Sequence, residues 1–352
     1  MINPNDEKKL IRLVNSLIGL LLVLVVTLGG LFFWMLFREN HPVDSNIIIL
    51  DSAVNSTITI KGIDTEEGQW VTPDLTLEKD KALQKTLLYG QQLIQNTSIY
   101  LGPKGTLAQI TNGMNCQNCH LNGGTQPWGN NYSAVNANYP KFRARSGTVE
   151  TVFKRISDCF ERSLNGKAPD STSKEMVAMA TYIKWLGKDV EKDKKPKGSG
   201  IYNLAFLDRA IDPEKGKIIY DLKCKSCHQS DGQGVMNDEK NAYTYPPLWG
   251  KNSYNSGAGL YRMSRFAGYV KANMPLGATY KNPQLTDEEA WDVAAFVNSQ
   301  ERPNKDLSKD WPDISKKTFD HPFGPFADSY TEKQHKFGPF KPIVDFQNKN
   351  KR

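Results

Sequence analysis

The residues whose types and spacing point most directly to chemistry form two copies of one motif, CQNCH at residues 116–120 and CKSCH at residues 224–228. In a C-x-x-C-H motif the two thiols add to the two vinyl groups of one porphyrin, and the histidine presents its imidazole to the iron. A zinc ribbon would need its two cysteine pairs close together, and a thioredoxin-like pair has no use for the histidine. The sequence therefore predicts two covalently attached haems c, with Cys116, Cys119, Cys224 and Cys227 as attachment sites and His120 and His228 as iron ligands.

The length and charge of the chain set limits on its organisation and partners. A chain of 352 residues can bury two modest cores, since a domain takes roughly 150 residues. The formal net charge of +7 is compatible with an anionic substrate, an acidic partner protein or a membrane surface, and it selects none of them. The lysines are dispersed, without the aromatic interleaving that nucleic-acid binding favours. We therefore expect no nucleic-acid partner.

The N-terminal region has the pattern of an uncleaved membrane anchor. Leu17–Phe37 is an uncharged apolar run of about the 20 residues that a bilayer-spanning helix needs. No A-x-A cleavage pattern follows it, and Lys8, Lys9 and Arg12 precede it, which predicts a cytoplasmic N-terminus under the positive-inside rule. Covalent haem attachment takes place outside the cytoplasm. We therefore expect a single-pass inner-membrane protein with its haem domains in the periplasm.

The expected fold class is mainly α, with two cytochrome c-like haem domains after an N-terminal transmembrane helix and a short stalk. Composition shifts and motif positions predict these divisions: 1–40 as N-terminus and membrane anchor, 41–78 as a stalk with strands at 47–50 and 57–60, 79–195 as the first haem domain, 196–209 as a linker, 210–302 as the second haem domain and 303–352 as a tail. The Pro-, Phe- and Lys-rich tail cannot form its own core, so it is either extended over the domains or disordered.

Helices are predicted next to both haem motifs. Periodic apolar residues indicate a helix over Asp80–Asn96 and another over Glu150–Phe160. Thr172 with Glu175 has the pattern of a capping box, as has Thr286 with Glu289, and Asp212 followed by proline predicts a helix start. Each haem motif is therefore expected to lie among helices that build a haem pocket.

The sixth iron ligand of the second haem is best sought among the methionines, because thioether ligation gives a relatively high reduction potential suited to passing electrons on. Met274 stands directly before Pro275, which stops the preceding helix and holds the loop extended. Met263 and Met236 are rivals, and core packing explains both of them. We expect Met274 to be the ligand.

The first domain has no Met-Pro loop at this distance, but it has Cys159, the cysteine left over from the two motifs. A buried free cysteine in the core is one interpretation of Cys159. The other is a thiolate iron ligand and reactive sulfur, since positive charge lowers the pKa of a thiol and four arginines lie near Cys159 in sequence: Arg143, Arg145, Arg155 and Arg162. Met176 and Met179 are alternative ligands, although their helical spacing also fits core positions.

The chain resembles the dihaem thiosulfate dehydrogenase family over about residues 80–345. Its most specific block is Cys-Phe-Glu-Arg-Ser-x-Asn-Gly, at residues 159–166. Further similar segments are residues 139–148, 155–158, 247–250, 253–255, 257–259 and 273–275, together with the Gly-Pro pairs at 324–325 and 338–339.

The resemblance implies oxidation of two thiosulfate ions to tetrathionate at the first haem, with electrons leaving through the second haem to a soluble or membrane cytochrome or another acceptor. It implies His120 and Cys159 as ligands of the first iron, and Arg145, Arg155 and Ser163 as substrate-pocket residues. Binding of haem propionates is a rival role for one of the arginines. Asn273 stands where some relatives have lysine, so Met274 alone is expected on the second iron.

The expected mechanism uses the sulfur of Cys159. We hypothesise that it leaves the iron, bonds a thiosulfate sulfur and is attacked by the second thiosulfate, while arginines hold the sulfonate oxygens. The sequence leaves three alternatives open: a dihaem electron carrier without enzymatic activity, a tetrathionate reductase using the same site in reverse, and another sulfur-compound oxidase.

Overall fold

A computed structural model of the chain describes residues 17–25, 27–29 and 68–350. The predicted span Leu17–Phe37 lies partly outside these ranges, and the predicted strands at 47–50 and 57–60 lie wholly outside them. Residues 17–25 and 27–29 are helical, but within the described ranges no helix is long and apolar enough to cross a membrane, which takes about 20 apolar residues. The prediction of a single-pass inner-membrane protein anchored by this span is therefore wrong.

Residues 68–350 belong to one compact unit, and we call residues 79–195 the first domain and residues 210–302 the second domain. The first domain is mainly helical, with one short antiparallel hairpin. Its elements are α1 (Lys81–Gln95), α2 (Thr97–Leu101), α3 (Leu121–Gly124), α4 (Val135–Asn138), β1 (Lys141–Arg143), β2 (Thr148–Glu150), α5 (Val152–Arg162) and α6 (Lys174–Leu186), with 3₁₀ turns at Leu75–Leu77 and Cys116–Asn118.

Local hydrogen bonds explain where these helices begin. Asp80 accepts from the backbone amides of the first turn of α1, so the helix predicted over Asp80–Asn96 begins directly after it. The predicted capping box at Thr172 is wrong, because Ser173 caps α6 while the Thr172 hydroxyl donates to Asp170. The helix predicted from Glu150 begins at Val152, because residues 148–150 pair with residues 141–143 as strands.

The second domain repeats this plan with α7 (Pro213–Lys223), α8 (Lys225–His228), β3 (Val235–Met236), β4 (Tyr243–Tyr245), α9 (Met263–Asn273) and α10 (Asp287–Ser299), and a 3₁₀ turn at Gly259–Tyr261. Asp212 caps α7 with proline at its first position, and Thr286 forms the predicted capping box of α10 with Glu289. Both predicted helix starts are confirmed.

In each domain the first and last helices cross closely at a glycine. A Cβ atom at Gly90 of α1 would overlap the Ala178 carbonyl of α6, and one at Gly216 of α7 would overlap the Asp292 carbonyl of α10. Close backbone approach is what a missing side chain permits. Residues of α1 and α6 line the cavity of the first haem motif, and residues of α7 and α10 line that of the second.

The tail beyond residue 302 packs against the rest of the unit. It contains a 3₁₀ turn at Ile314–Lys316 and the helices α11 (Glu332–Phe337) and α12 (Lys341–Lys349). Phe340 is buried in the core of the second domain, and the Ile211 amide donates to the Phe337 carbonyl at 2.8 Å. The tail thus buries its aromatic residues against a core that the second domain provides.

Candidate haem sites and active site

One helical turn gathers the three functional groups of the first motif. The amide of His120 donates to the Cys116 carbonyl at 3.0 Å, which brings the residues of the motif onto one wall of a cavity. The turn is fixed from outside, since the Cys116 amide donates to the Thr97 hydroxyl at 3.0 Å and the Asn115 amide donates to the Asn118 side chain at 2.7 Å. These hydrogen bonds therefore fix the position of the motif on the cavity wall.

A backbone carbonyl orients the histidine of each motif. Nδ1 of His120 lies 2.5 Å from the Asn130 carbonyl oxygen, and Nδ1 of His228 lies 2.9 Å from the Pro246 carbonyl oxygen. Because a carbonyl only accepts, Nδ1 carries the proton and Nε2 stays free to bind iron. Burial lowers the pKa of His120 to about 4 and lowers that of His228 as well, which keeps both imidazoles neutral.

The first cavity has a volume of about 880 Å³ including its mouth. Its wall joins the first haem motif to three of the four predicted catalytic residues. These wall residues are Cys116, Cys119, His120, Arg155, Cys159 and Ser163. The structure thus brings these side chains to one cavity, and Asn115, Asn130, Asn131, Tyr132 and Tyr139 add further polar groups to its wall.

Helix α5 places Arg155, Cys159 and Ser163 along one face, because residues four apart lie one turn above each other. Ser163 follows the last helical residue, and its amide still donates to the Cys159 carbonyl at 2.8 Å. Ile156 and Phe160 of the same helix are buried in the core. The core side of α5 thus fixes the helix rotation that directs a cation, a thiol and a hydroxyl into the cavity.

Among the residues that the structure describes, the guanidinium of Arg155 forms no ion pair with a carboxylate. Within residues 68–350 no Asp or Glu lies within ion-pairing distance of it, and its side chain makes no hydrogen bond. The negative charge of Cys159 raises the pKa of Arg155, and this effect exceeds the opposing effect of burial. Arg155 therefore keeps a positive charge available for a thiolate or an anionic ligand in the cavity.

Arg145 is not part of the cavity wall, so the structure does not bring it together with the other predicted catalytic residues. Its Nη1 donates to the Gly257 carbonyl at 2.9 Å, and its Nε lies 3.8 Å from Asp310. Burial and then the charge of Arg162 lower the pKa of Arg145 to about 10. The sequence reasoning missed Asp310, and no local pattern marks it, because it lies far along the chain from its partners.

The alternative sulfur ligands of the first domain differ in position. Met176 is fully buried and does not line the first cavity, whereas Met179 does line it. Met179 thus remains the competitor of Cys159 as sixth ligand. Arg155 beside Cys159 favours the thiol, because a cation stabilises a thiolate and does nothing for a neutral thioether.

The second cavity has a volume of about 1470 Å³ including its mouth. Its wall contains the second haem motif and the predicted methionine, namely Cys224, Cys227, His228 and Met274. Met263 is buried in the core and Met236 is exposed on β3, and neither lines this cavity. Of the three candidate methionines, only Met274 thus faces the same space as the His228 imidazole.

The two cavities share part of their walls. Asn115 and Cys119 of the first motif line both cavities, and the Tyr269 hydroxyl of α9 donates to the Asn118 carbonyl at 2.7 Å. The attachment segment of one haem therefore forms part of the pocket of the other.

The donor sets of both cavities fit haem c. In each, two thiols and an imidazole stand together, a further sulfur is available as sixth ligand, and the remaining wall is largely aliphatic and aromatic. Thiols of this kind attach the porphyrin, and imidazole with thiolate or thioether are ligands that iron accepts. The chemistry of both cavities thus agrees with the C-x-x-C-H spacing.

Comparison with known families matches both domains. Residues 213–301 match the family model described as cytochrome c. Residues 107–191 match the model described as SoxA/TsdA, cytochrome c domain. The prediction of two cytochrome c domains in a mainly helical chain is therefore confirmed.

The individual proteins that are similar to this chain are thiosulfate dehydrogenases. A thiosulfate dehydrogenase of Psychrobacter arcticus is 35% identical over 75% of this chain and 78% of its own length. One of Allochromatium vinosum is 37% identical over 66% of this chain and 83% of its own length. The solved structure of thiosulfate dehydrogenase (TsdBA) from Marichromatium purpuratum, as isolated, superposes with a TM-score of 0.62 at 30% identity, covering 67% of this chain and 50% of that chain. This chain thus spans half the length of that solved chain.

Proposed function

The chain belongs to the thiosulfate dehydrogenase family and carries two covalently bound haems c, and we propose that it couples two thiosulfate ions into one tetrathionate at the first haem. One observation carries this proposal: Cys159 and Arg155 line the same cavity as the first haem motif. A plain electron carrier needs neither a thiol nor an unpaired guanidinium beside its haem. The family membership identifies the chain as an enzyme and thereby sets the carrier alternative aside.

The first task of the site is to bring two dianions together. Unit charges 4 Å apart in water interact by about 1 kcal/mol, so two dianions at that distance repel each other by about 4 kcal/mol. Arg155 offsets part of this repulsion, and its planar guanidinium matches the oxygens of a sulfonate group. Ser163, one turn further along, has a hydroxyl that donates to a sulfonate oxygen.

The second task is the formation of a sulfur–sulfur bond. The Cys159 thiolate and the terminal sulfur of one thiosulfate join in a disulfide-like bond, and two electrons are released. The terminal sulfur of the second thiosulfate then attacks the bound thiosulfate sulfur, and Cys159 leaves as thiolate. The product is tetrathionate, no proton is consumed, and the thiolate is regenerated. Because both sulfurs are held beside Cys159, the encounter is effectively intramolecular.

The electrons must leave the site one at a time. When bound, the two haems supply this one-electron chemistry, the first beside Cys159 and the second as the exit to an electron acceptor. Asn115 and Cys119 line both cavities, so the residues that would hold the two haems are adjacent. Met274, as thioether ligand, favours a high potential at the exit.

The test is an assay of the full holo-chain with thiosulfate and an artificial electron acceptor, repeated with tetrathionate and an artificial donor. We expect one tetrathionate per two electrons in the first assay. Turnover with tetrathionate alone would favour the reductase direction of the same site. No turnover in either assay, with both haems attached and reducible, would contradict the proposal.

A further inference from the structure

The segment directly after the second domain is bound to the first domain. The Trp311 amide donates to the Arg145 carbonyl at 2.7 Å, and Lys305 lies 3.4 Å from Glu161 of α5. The Ser256 amide donates to the Pro303 carbonyl at 3.0 Å. Residues 303–311 are therefore held between the two domains, next to the C-terminal end of the helix that carries Cys159.

The carboxylate of Asp310 is the centre of this contact. Its two oxygens accept from the terminal nitrogens of Arg162 at 2.7 and 2.8 Å, which is the paired geometry of the strongest arginine–carboxylate bonds. Arg145 approaches the same carboxylate at 3.8 Å. The side chains of Asp310 and Arg162 are only 8% and 12% exposed, so water replaces these bonds poorly.

Arg162 has little other support. Its remaining acceptor is the Gly257 carbonyl at 3.5 Å, and its Nε is buried without a partner among residues 68–350. Without Asp310, the guanidiniums of Arg145 and Arg162 would face each other in a buried place with no counter-charge. Such an arrangement of two buried like charges is unfavourable. We expect Arg162, the last residue of α5, to move away from Arg145.

We propose that Asp310 is a positioning residue for the thiosulfate reaction: through Arg162 and Arg145 it fixes the end of α5, and thereby the position of Cys159 and Arg155 in the first cavity. Arg162 follows Cys159 by three residues, so a shift of its backbone moves the turn that contains the thiol. This inference rests on the proposed function. It means that a residue of the tail, Asp310, helps to position the active-site residues of α5.

The chain offers a matched control. Asp320 of the same tail is also buried and also binds an arginine, with Arg262 at 2.6 Å and the Ser264 amide at 3.1 Å. Its partners belong to the second domain, and none of them is a residue of α5. Asp320→Asn therefore removes an equivalent buried ion pair of the tail without touching the helix that carries Cys159.

The experiment compares Asp310→Asn, Asp310→Glu and Asp320→Asn in the full holo-chain. The first readout is the rate at which iodoacetamide alkylates Cys159, the cysteine outside the two haem motifs. The second is the split between kcat and KM for thiosulfate. For Asp310→Asn we expect alkylation to be faster and kcat to be lower by about tenfold or more, because small misplacements of reacting groups are costly. Asp310→Glu should restore most of both, and Asp320→Asn should leave alkylation within about twofold of the original rate.

Alkylation and kcat of Asp310→Asn equal to those of Asp320→Asn would overturn the proposal. The two proposals fail in different ways. If the unsubstituted chain does not oxidise thiosulfate, the proposed function is wrong, whereas the alkylation rates still decide whether Asp310 positions Cys159.

Discussion

In both domains one helical turn places two thiols and an imidazole on a cavity wall, and a carbonyl oxygen fixes the tautomer of that imidazole. The walls differ in their remaining residues. The first cavity contains the thiol of Cys159 and the guanidinium of Arg155, whereas the second contains the neutral thioether of Met274 and Lys223, which is paired with Glu289. The proposed function assigns two tasks to the same scaffold: chemistry on an anion in the first domain and electron exit in the second.

The largest effect is expected from Cys159→Ala. Loss of the residue that bonds the substrate should lower thiosulfate oxidation by roughly 10³- to 10⁶-fold, the scale seen when an enzyme loses its nucleophile. Both haems should remain attached, since none of the four motif cysteines is changed. Met179→Leu is the control, because Met179 is a sulfur side chain of the first cavity that lies outside the haem motif. Full activity in Cys159→Ala would contradict the assignment of the reactive sulfur to Cys159. Loss of activity in Met179→Leu alone would assign the site to Met179 instead.

Arg155→Lys tests the cationic part of the first wall. The substitution keeps the charge but loses the planar fork, so kcat/KM for thiosulfate should fall by about 10²-fold, as for the loss of one well-placed donor. Lys154→Gln is the matched control on the same helix, since Lys154 pairs with Asp158 and does not line the cavity. A kcat/KM of Arg155→Lys equal to that of the unsubstituted chain would mean that Arg155 acts through its positive charge alone, and an equal fall in Lys154→Gln would mean that the effect is not specific to the cavity wall.

Met274→Leu tests the second wall. Loss of the thioether should lower the reduction potential of the second haem by on the order of 0.1 V, within the roughly 0.8 V that axial ligands span, while KM for thiosulfate stays within about twofold. Met263→Leu, a core substitution of similar volume, should leave the potential unchanged. A potential that follows Met263 in a redox titration would reject Met274 as the ligand.

The smallest effect concerns the tail. Burial and then the charge of Lys317 lower the pKa of His321 to about 4, so this imidazole is neutral in the folded chain. Below about pH 6.5 His321 takes up a proton in the unfolded chain but not in the folded chain. Its protonation therefore leaves the free energy of unfolding unchanged above that pH and lowers it as the pH falls from about 6.5 to about 4. We expect His321 to lower the free energy of unfolding by about 2 kcal/mol between pH 7.5 and pH 5.

Denaturant unfolding of His321→Gln at both pH values checks this expectation. The variant should lose stability less steeply on acidification than the unsubstituted chain. An unchanged slope would show that His321 is not buried in its neutral form.

The sequence predicts those features that depend on neighbouring residues. The C-x-x-C-H spacing follows from haem attachment itself, and the caps at Asp212 and Thr286 depend on hydrogen bonds within one turn. The sequence placed the α6 cap one residue early, because Thr172 and Ser173 compete and the choice depends on Asp170. It also missed the hairpin at residues 141–150, whose strands are too short to show alternation.

Contacts between segments that are far apart in the chain could not be predicted from the sequence. Arg145 and Arg155 both stand near Cys159 in the chain, yet only Arg155 lies one helical turn from it and lines the cavity. Arg145 instead faces Asp310, a residue of the tail. The spacing of Arg155 and Cys159 along one helix therefore identifies Arg155 as a cavity residue. The contact between Arg145 and Asp310 can be identified only from the structure.

The central claim is that the thiol of Cys159 distinguishes the first haem site from the second. Electron spin resonance of the oxidised holo-chain tests it most directly, because histidine/thiolate and histidine/thioether ligation give different low-spin ferric signals. We predict one signal of each kind, with only the thiolate signal lost in Cys159→Ala. Two signals without thiolate character, both unchanged in Cys159→Ala, would contradict this account of the molecule.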